Sequence, residues 1–248
     1  MLELKNISLS VEDEFTGNGQ KEILRDVSLT IETGKLVVVT GPNGGGKSTM
    51  AKMIAGILKP NQGQILLDGE DVTDLDITQR ATRGISFAFQ QPVRFKGITV
   101  RDLINLASGR EISDCEACGY LKEVGLCARD YIDREVNASL SGGEIKRIEI
   151  ATVMARKTKL TIFDEPEAGI DLWSFNNLID VFKNLRKEIN GSMLIISHQE
   201  RILDIADEII VIADGKVMAR GKKEEVLPEL LREDCQYCVG GKGRRVVQ

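Results

Sequence analysis

A glycine-rich segment at residues 41–49 has the spacing of a phosphate-binding loop. It follows the pattern G-x-x-x-x-G-K-[S/T] and consists of Gly41, Pro42, Asn43, Gly44, Gly45, Gly46, Lys47, Ser48 and Thr49. Glycines let backbone N–H groups approach phosphate oxygens, and a following helix adds its positive N-terminus. The segment therefore predicts nucleoside triphosphate binding, with Lys47 on the β- and γ-phosphates and Ser48 on Mg²⁺.

Two acidic residues follow an apolar segment that is typical of a buried strand. Asp164 and Glu165 come directly after Leu160-Thr161-Ile162-Phe163. Because open α/β sheets bind ligands at the carboxyl ends of their strands, we expect both carboxylates near the phosphate loop. There Asp164 can complete the Mg²⁺ shell, and Glu165 can polarise the attacking water as a catalytic residue.

Four more segments occur in an order that identifies a family. They are Gln90 after Ser86-Phe87-Ala88-Phe89, the run Leu140-Ser141-Gly142-Gly143-Glu144, the run Ala168-Gly169-Ile170-Asp171, and His198 after Ile195-Ile196-Ser197. Together with the phosphate loop and the acidic pair, they resemble the Q-loop, signature, D-loop and switch histidine of ABC-type ATPases. The resemblance covers about residues 35–200 and implies hydrolysis of ATP with Mg²⁺.

The resemblance also implies a role for each of these residues. Gln90 would bind Mg²⁺ and couple it to a helical insertion, and His198 would hydrogen-bond the γ-phosphate as a catalytic partner of Glu165. Ser141, Gly142 and Gly143 begin a helical pattern, where a serine and glycine amides make an anion site. In ABC ATPases this site meets ATP held by the other subunit, and Asp171 matches the D-loop. The implied assembly is a head-to-tail homodimer with two ATP molecules at its interface.

The residue that stacks on adenine stays open. In ABC ATPases an upstream aromatic side chain usually does so, and Val11 stands in that place here. Phe15, before Gly17-Asn18-Gly19, could substitute, or it could be an ordinary loop or core phenylalanine. The preference for ATP over GTP therefore rests on the resemblance.

An ATPase of this type could drive either of two kinds of protein complex. Residues 88–93, 141–147 and 197–203 resemble the SufC-type ATPases of the SUF iron–sulfur assembly system, which bind soluble β-helical scaffold proteins. Glu144 stands where many transporter subunits have glutamine. Pro166 follows the catalytic acid, as it often does in transporters, whereas SUF ATPases usually have serine or threonine there. We expect a SUF-like ATPase with a soluble scaffold partner, and the alternative is the ATP-binding subunit of a membrane transporter.

Apolar runs that alternate with helical patterns predict a mostly parallel sheet. Buried strands are predicted at Leu36–Thr40, Leu160–Phe163, Met193–Ser197 and Ile209–Ile212. Segments that alternate more strongly, at Leu2–Val11, Ile23–Ile31 and Gln64–Leu67, predict an antiparallel patch beside that sheet. Helices are predicted at Lys47–Leu58, at Leu172–Ile189, and from a capping box at Thr99 to about Ala107.

These elements define the expected fold class and domain organisation. The fold is α/β: a phosphate-loop NTPase core of the ABC ATPase type with a mostly parallel sheet, an antiparallel β subdomain and an α-helical subdomain. We expect one ABC ATPase domain at residues 1–228, with a helical insertion at about 91–156, and a weakly ordered tail at 229–248.

Composition excludes several classes of protein. The 248 residues carry 33 Lys and Arg against 38 Asp and Glu, so the net charge of −5 gives no general attraction to nucleic acid. No apolar run reaches the ~18 residues of a membrane helix, and no signal peptide precedes the chain. These features predict a cytoplasmic protein, and any membrane span would come from another chain.

The five cysteines favour a reducing compartment over a disulfide framework. Cys115/Cys118 and Cys235/Cys238 are C-x-x-C pairs that could together form a four-thiolate metal site. Nothing in the sequence places the two pairs together, so plain thiols are the main expectation. Cys127 is expected to be a packed residue.

Overall fold

The computed structural model describes residues 1–13, 19–91, 93–137, 139–169, 172–188 and 191–232. Its strands are β1 Leu2–Asp13, β2 Gly19–Ile31, β3 Leu36–Thr40, β4 Gln62–Leu67, β5 Glu70–Asp71, β6 Ile85–Ala88, β7 Leu160–Asp164, β8 Ser192–Ile196, β9 Glu208–Ala213 and β10 Lys216–Lys222. Its helices are α1 Lys47–Ile54, α2 Ile77–Thr82, α3 Val100–Ser108, α4 Asp114–Glu123, α5 Ala128–Tyr131, α6 Gly142–Arg156, α7 Leu172–Glu188, α8 Glu200–Asp204 and α9 Lys223–Leu230.

Two sheets form the α/β framework. The larger sheet has the strand order β10-β9-β3-β8-β7-β6. Its strands are parallel except for the antiparallel pair of β9 and β10. The smaller sheet is antiparallel, with the order β2-β1-β4-β5. This architecture confirms the predicted fold class.

The central strand β3 divides the interior into two hydrophobic clusters. Leu36 and Val38 belong to the cluster on the helical side, whereas Val37 and Val39 belong to the cluster between the sheets. Because side chains alternate across a strand, a strand that is covered on both faces must be apolar throughout. All five residues of β3 are buried, and the loop that follows it is therefore firmly anchored.

Helices α3, α4, α5 and α6 lie between β6 and β7, where the helical insertion was expected. Helices α3 and α4 pack on α6, and α3 begins at a capping box in which Thr99 and Asp102 cap each other's backbone. An isolated bridge joins Thr99 to Glu135. The insertion therefore rests on the helix that starts at the signature segment.

Several element boundaries differ from the predictions. Helix α1 ends at Ile54 rather than Leu58, because Gly56 adopts a left-handed φ of 82° that a helix cannot continue through. Strands β6 and β10 were not predicted. The first has four residues, and the second is a half-exposed antiparallel edge without a continuous apolar run. The predicted domain boundary at residue 228 lies inside helix α9, and most of the predicted tail lies outside the described residues.

Candidate functional site

The phosphate loop connects β3 to α1 and is built around positions that only glycine fits. Gly41 has a φ of 133°, and a Cβ atom there would lie 2.1 Å from the backbone oxygen of Ile212. Gly46 has a φ of 103°, and its Cβ would lie 2.7 Å from the side chain of Leu24. These close approaches hold the loop against two neighbouring strands. The sequence pattern is thus explained by backbone geometry as well as by the space that phosphate needs.

Lys47 lies in this loop with its ammonium group folded back. The Nζ atom donates to the carbonyl oxygens of Gly41 at 2.8 Å and Pro42 at 2.9 Å. Burial lowers the pKa of Lys47, and the negative charges of Glu165 and Asp164 oppose this effect. A buried cation that is held by neutral carbonyls is an attractive partner for the anionic oxygens of a nucleotide.

Ser48 and Asp164 form the first polar pair of the site. The Oγ atom of Ser48 donates to Oδ1 of Asp164 at 2.9 Å. Burial raises the pKa of the Asp164 carboxyl, while this hydrogen bond partly offsets the rise. A hydroxyl and a carboxylate oxygen are the hard donors that Mg²⁺ prefers, and a cation would relieve the burial of the negative charge. Two of the three predicted metal ligands, Ser48 and Asp164, therefore fit the ion.

Gln90 and Glu165 form the second polar pair. The Nε2 atom of Gln90 lies 2.5 Å from Oε2 of Glu165. Glu165 has a left-handed φ of 45°, and its backbone N–H donates to the carbonyl of Ile196 on β8. A non-glycine residue in this conformation is held by its surroundings. The carboxylate is thus fixed at the strand end, within reach of the residue predicted to share the metal.

Glu167 is a residue near the site that the sequence analysis missed. Ser197, directly before His198, donates its hydroxyl to Oε1 of Glu167 at 2.5 Å and accepts the backbone N–H of Gln199 at 3.0 Å. Burial raises the pKa of Glu167, and its Oε2 atom is buried without a hydrogen-bond partner among the residues that the structure describes. An acid two residues after Glu165 was the only signal in the sequence. The side chain links the β7 end to the backbone around His198.

A cavity of about 1470 Å³ is lined by eight of the predicted residues. Those that line it are Asn43, Gly44, Gly46, Lys47, Ser48, Thr49, Gln90 and Glu165. At its other end lie residues of β1 and β2, including Ser10, Ile23 and Arg25. The lining does not include Val11, whose side chain is exposed. Phe15 and Asp171 lie outside the described residues.

The signature segment stands apart from this cavity, and so does His198. Ser141 caps α6, and its backbone N–H donates to Glu144 at 2.7 Å. The Tyr131 hydroxyl also donates to Glu144, and these bonds lower the pKa of Glu144 to about 2. Ser141 and Gly142 are exposed, so the helix N-terminus faces outward. Neither this segment nor His198 lines the cavity in the described part of the chain.

The cysteines do not form a metal site in the described residues. Cys115 and Cys118 are exposed on α4, and Cys235 and Cys238 lie outside the described ranges. No group of three or more His, Cys, Asp or Glu side chains is arranged for a metal ion among the residues placed. The prediction that Cys127 is packed is wrong: it is exposed at the N-cap of α5, where the chain turns outward.

Comparison with known proteins identifies the family. Residues 24–168 match the family model described as ABC transporter. The chain belongs to this family and is an ABC ATPase. It therefore uses ATP with Mg²⁺. An uncharacterized ABC transporter ATP-binding protein of Methanocaldococcus jannaschii is 40% identical over 93% of this chain and 94% of its own length.

Two further comparisons concern better-defined relatives of this ABC ATPase. The lipopolysaccharide export system ATP-binding protein LptB of Haemophilus influenzae is 31% identical, over 88% of this chain and 92% of its own length. A solved dimeric ATP-binding cassette in a post-hydrolysis state with ADP and Pi has a TM-score of 0.79 and 26% identity. It covers 90% of this chain and 99% of its own. No described helix of the ABC ATPase is long and apolar enough to cross a membrane.

Replacing Asp164 with asparagine is expected to stabilise the nucleotide-free protein. The raised pKa means that the folded state disfavours the charged carboxylate, so this residue contributes least to stability above its folded pKa. The melting temperature should rise by roughly 2–4 °C near neutral pH, the shift produced by about 1 kcal/mol in a chain of this size. Thermal melts with a chelator measure this.

Thermal melts at several pH values test whether the burial of a charged Asp164 carboxylate is the cause of this gain in melting temperature. The gain should shrink as the pH falls through the raised folded-state pKa of Asp164 and vanish below the ordinary aspartate pKa of about 3.9, which the unfolded chain keeps. Asp74→Asn, at an exposed aspartate whose side chain is 82% accessible, is the matched control and should leave the melting temperature unchanged. A destabilised Asp164→Asn protein would contradict the inferred effect of burial.

Proposed function

We propose that this ABC ATPase is an Mg²⁺-dependent motor subunit that hydrolyses ATP in a head-to-tail homodimer and moves a partner protein. The observation that carries the proposal is the pairing of Ser48 with Asp164 and of Gln90 with Glu165 around one cavity. These pairs join the phosphate loop, the β7 end and the helical insertion. A nucleotide in the cavity would act on all three.

The residues of the chain divide the work of hydrolysis between them. Lys47 would leave the carbonyls of its own loop and donate to the β- and γ-phosphates. Glu165 would orient the attacking water, with His198 hydrogen-bonding the γ-phosphate from the neighbouring strand end. Ser48, Asp164 and Gln90 would hold Mg²⁺, which would neutralise part of the phosphate charge. Water and ATP are thereby converted to ADP and phosphate.

The open signature segment supports the dimer. Ser141 and the N-terminus of α6 form an anion site that is exposed and separate from the chain's own cavity. A second copy in head-to-tail orientation would place this site against its nucleotide. The related cassette with ADP and Pi is itself dimeric. Each catalytic site would then use residues of both subunits.

Exposed apolar side chains support a protein partner at the helical insertion. Val93, Phe95 and Leu106 are 47%, 37% and 70% exposed. Val93 and Phe95 follow closely after Gln90, and Leu106 lies on α3. Because the relatives are named as ATP-binding proteins of ABC transporters and of a lipopolysaccharide export system, we propose a membrane transporter subunit as the partner.

Iron–sulfur assembly is the second candidate function. The SUF resemblance at residues 88–93, 141–147 and 197–203 is independent of the relatives' names. Glu144, which stands where many transporter subunits have glutamine, forms a capping box with Ser141 and also accepts the hydroxyl of Tyr131. In this alternative the same apolar side chains would contact a soluble scaffold.

Purification of the tagged chain from its native cells tests the two candidates. We would compare anaerobic preparations made with and without detergent and identify the proteins that accompany the chain. A polytopic membrane protein recovered with detergent supports the transporter motor. A soluble partner that carries iron and sulfide supports cluster assembly instead. Recovery of neither, with full ATPase activity retained, would contradict a stable partner.

A surface variant makes this experiment specific. Leu106→Asp should release the accompanying protein and leave basal ATP hydrolysis unchanged, because the side chain is exposed and remote from the cavity lining. Ile77→Asp is the control, since Ile77 is also exposed but belongs to α2. Equal retention of the partner by both variants would exclude the α3 surface as its contact.

A further inference from the structure

The peptide groups of Phe89 are held by two charged side chains of the signature helix. Oε1 of Glu149 accepts the backbone N–H of Phe89 at 2.9 Å, and Nζ of Lys146 donates to the backbone carbonyl of the same residue. Lys146 and Glu149 also form an ion pair at 3.0 Å. These three residues, the Phe89 clamp, connect segments that are 57 and 60 positions apart in sequence.

The clamp is buried to an unusual degree for charged residues. The Lys146 side chain is 1% exposed and that of Glu149 is 17% exposed. Among the described residues, Oε2 of Glu149 is buried without a hydrogen-bond partner and contacts the Lys146 ammonium group only as an ion pair. Removing two charges from water is expensive, and apolar residues of similar size often stabilise a fold equally well. The pair is therefore better explained by a need to hold the Phe89 backbone in a fixed position than by a contribution to folding stability.

The position of Phe89 suggests what the clamp positions. Phe89 directly precedes Gln90, whose amide donates to Glu165. Lys146 and Glu149 lie in the first half of α6, whose N-cap is Ser141. The clamp therefore joins the start of the glutamine loop to the helix that presents the signature serine. A shift of the backbone at Phe89 and Gln90 on nucleotide binding would displace α6 or break these bonds.

We propose that Glu149, with Lys146, is a positioning residue that transmits the state of Gln90 to the signature serine. Nucleotide bound in one chain thereby sets the orientation of Ser141 for the nucleotide of its partner. This inference rests on the proposed dimer and adds the connection between its two sites. In the described part of the chain, no hydrogen bond or ion pair joins either residue to the phosphate loop, so the clamp should act on turnover and dimerisation and not on the primary binding of ATP.

Three variants test the clamp. Glu149→Ala removes the bond to Phe89 N–H. Lys146→Met with Glu149→Gln removes both charges, and the new amide oxygen can still accept that N–H. Glu135→Ala is the matched control, because Glu135 also accepts a backbone N–H, that of Gly97 at 2.5 Å, elsewhere in the insertion. Measurements are kcat, KM for ATP, the ATP affinity of the single chain, and the melting temperature.

Glu149→Ala should lower kcat about 10-fold, within the range that is typical of coupling between sites. Dimerisation is measured in a Glu165→Gln background, which lacks the catalytic acid and should keep ATP bound. There Glu149→Ala should raise, by a similar factor, the ATP concentration at which half of the protein is dimeric. The ATP affinity of the single chain should stay within about twofold, since the phosphate loop is intact. The double variant should keep its melting temperature but lose turnover, because the bond from Lys146 to Phe89 is gone. The control Glu135→Ala should keep the wild-type turnover.

Different results would contradict the role of the clamp and the proposed function. If the double variant folds stably and turns over at the wild-type rate, the clamp is only structural and the inference is overturned. Should Glu149→Ala fail to fold, the double variant alone decides. A wild-type chain that shows no ATP turnover or no dimer would instead count against the proposed function.

Discussion

Replacing Glu165 with glutamine is expected to lower ATP hydrolysis by at least about 100-fold, the effect usual for loss of a carboxylate that handles a proton in the transition state. The left-handed backbone and the bond from Gln90 fix this side chain at the end of β7. Glutamine keeps its size but cannot orient water as a charged acceptor. Phosphate release under saturating Mg²⁺ and ATP measures the change.

ATP binding should survive this substitution, because the phosphate loop is unchanged. Glu224→Gln, at an exposed glutamate on α9, is the control and should hydrolyse ATP at the wild-type rate. Turnover within threefold of wild type in the Glu165→Gln protein would remove Glu165 from the catalytic role; this threshold is about 0.6 kcal/mol of barrier.

Replacing Lys47 with alanine is expected to weaken ATP binding by at least about 100-fold, which corresponds to the loss of a buried charge-assisted contact. In the described part of the chain, the buried ammonium group donates its hydrogen bonds to the carbonyls of Gly41 and Pro42, and it can exchange these neutral acceptors for phosphate oxygens. Titration with a fluorescent ATP analogue measures the affinity.

Lys59→Ala is the matched control for this experiment. Lys59 is exposed and pairs with Asp74 at 2.7 Å, away from the cavity lining. Its loss should leave the affinity for ATP unchanged, since exposed ion pairs contribute little. Equal affinity of the Lys47→Ala and wild-type proteins would refute the assignment of the phosphate loop.

The sequence predicts the parts of this site that local backbone chemistry determines. The phosphate loop could be predicted because its glycines, Lys47 and Ser48 are contiguous and their spacing follows from one strand–loop–helix unit. Asp164 and Glu165 could be predicted because an apolar strand ends at acids. The main strands were predicted for the same reason: continuous apolar runs are typical of strands covered on both faces.

The sequence does not predict contacts that depend on the assembled fold. Glu149 and Lys146 look like polar residues of an amphipathic helix, and only packing against β6 brings them to the backbone of Phe89. Glu167 likewise accepts a hydrogen bond from Ser197, thirty positions away, because the folded chain brings the two residues together. The four-residue β6 is a strand because β7 pairs with it. In each case tertiary pairing decides what local pattern leaves open.

The central claim is that ATP joins two chains through the signature segment. Light scattering of the Glu165→Gln protein with saturating MgATP tests it most directly. We expect a particle of twice the 27.4 kDa of one chain. The mass should return to that of one chain in ADP, or when Ser141→Arg is added. A Glu165→Gln protein with ATP demonstrably bound and a mass of one chain would contradict the account.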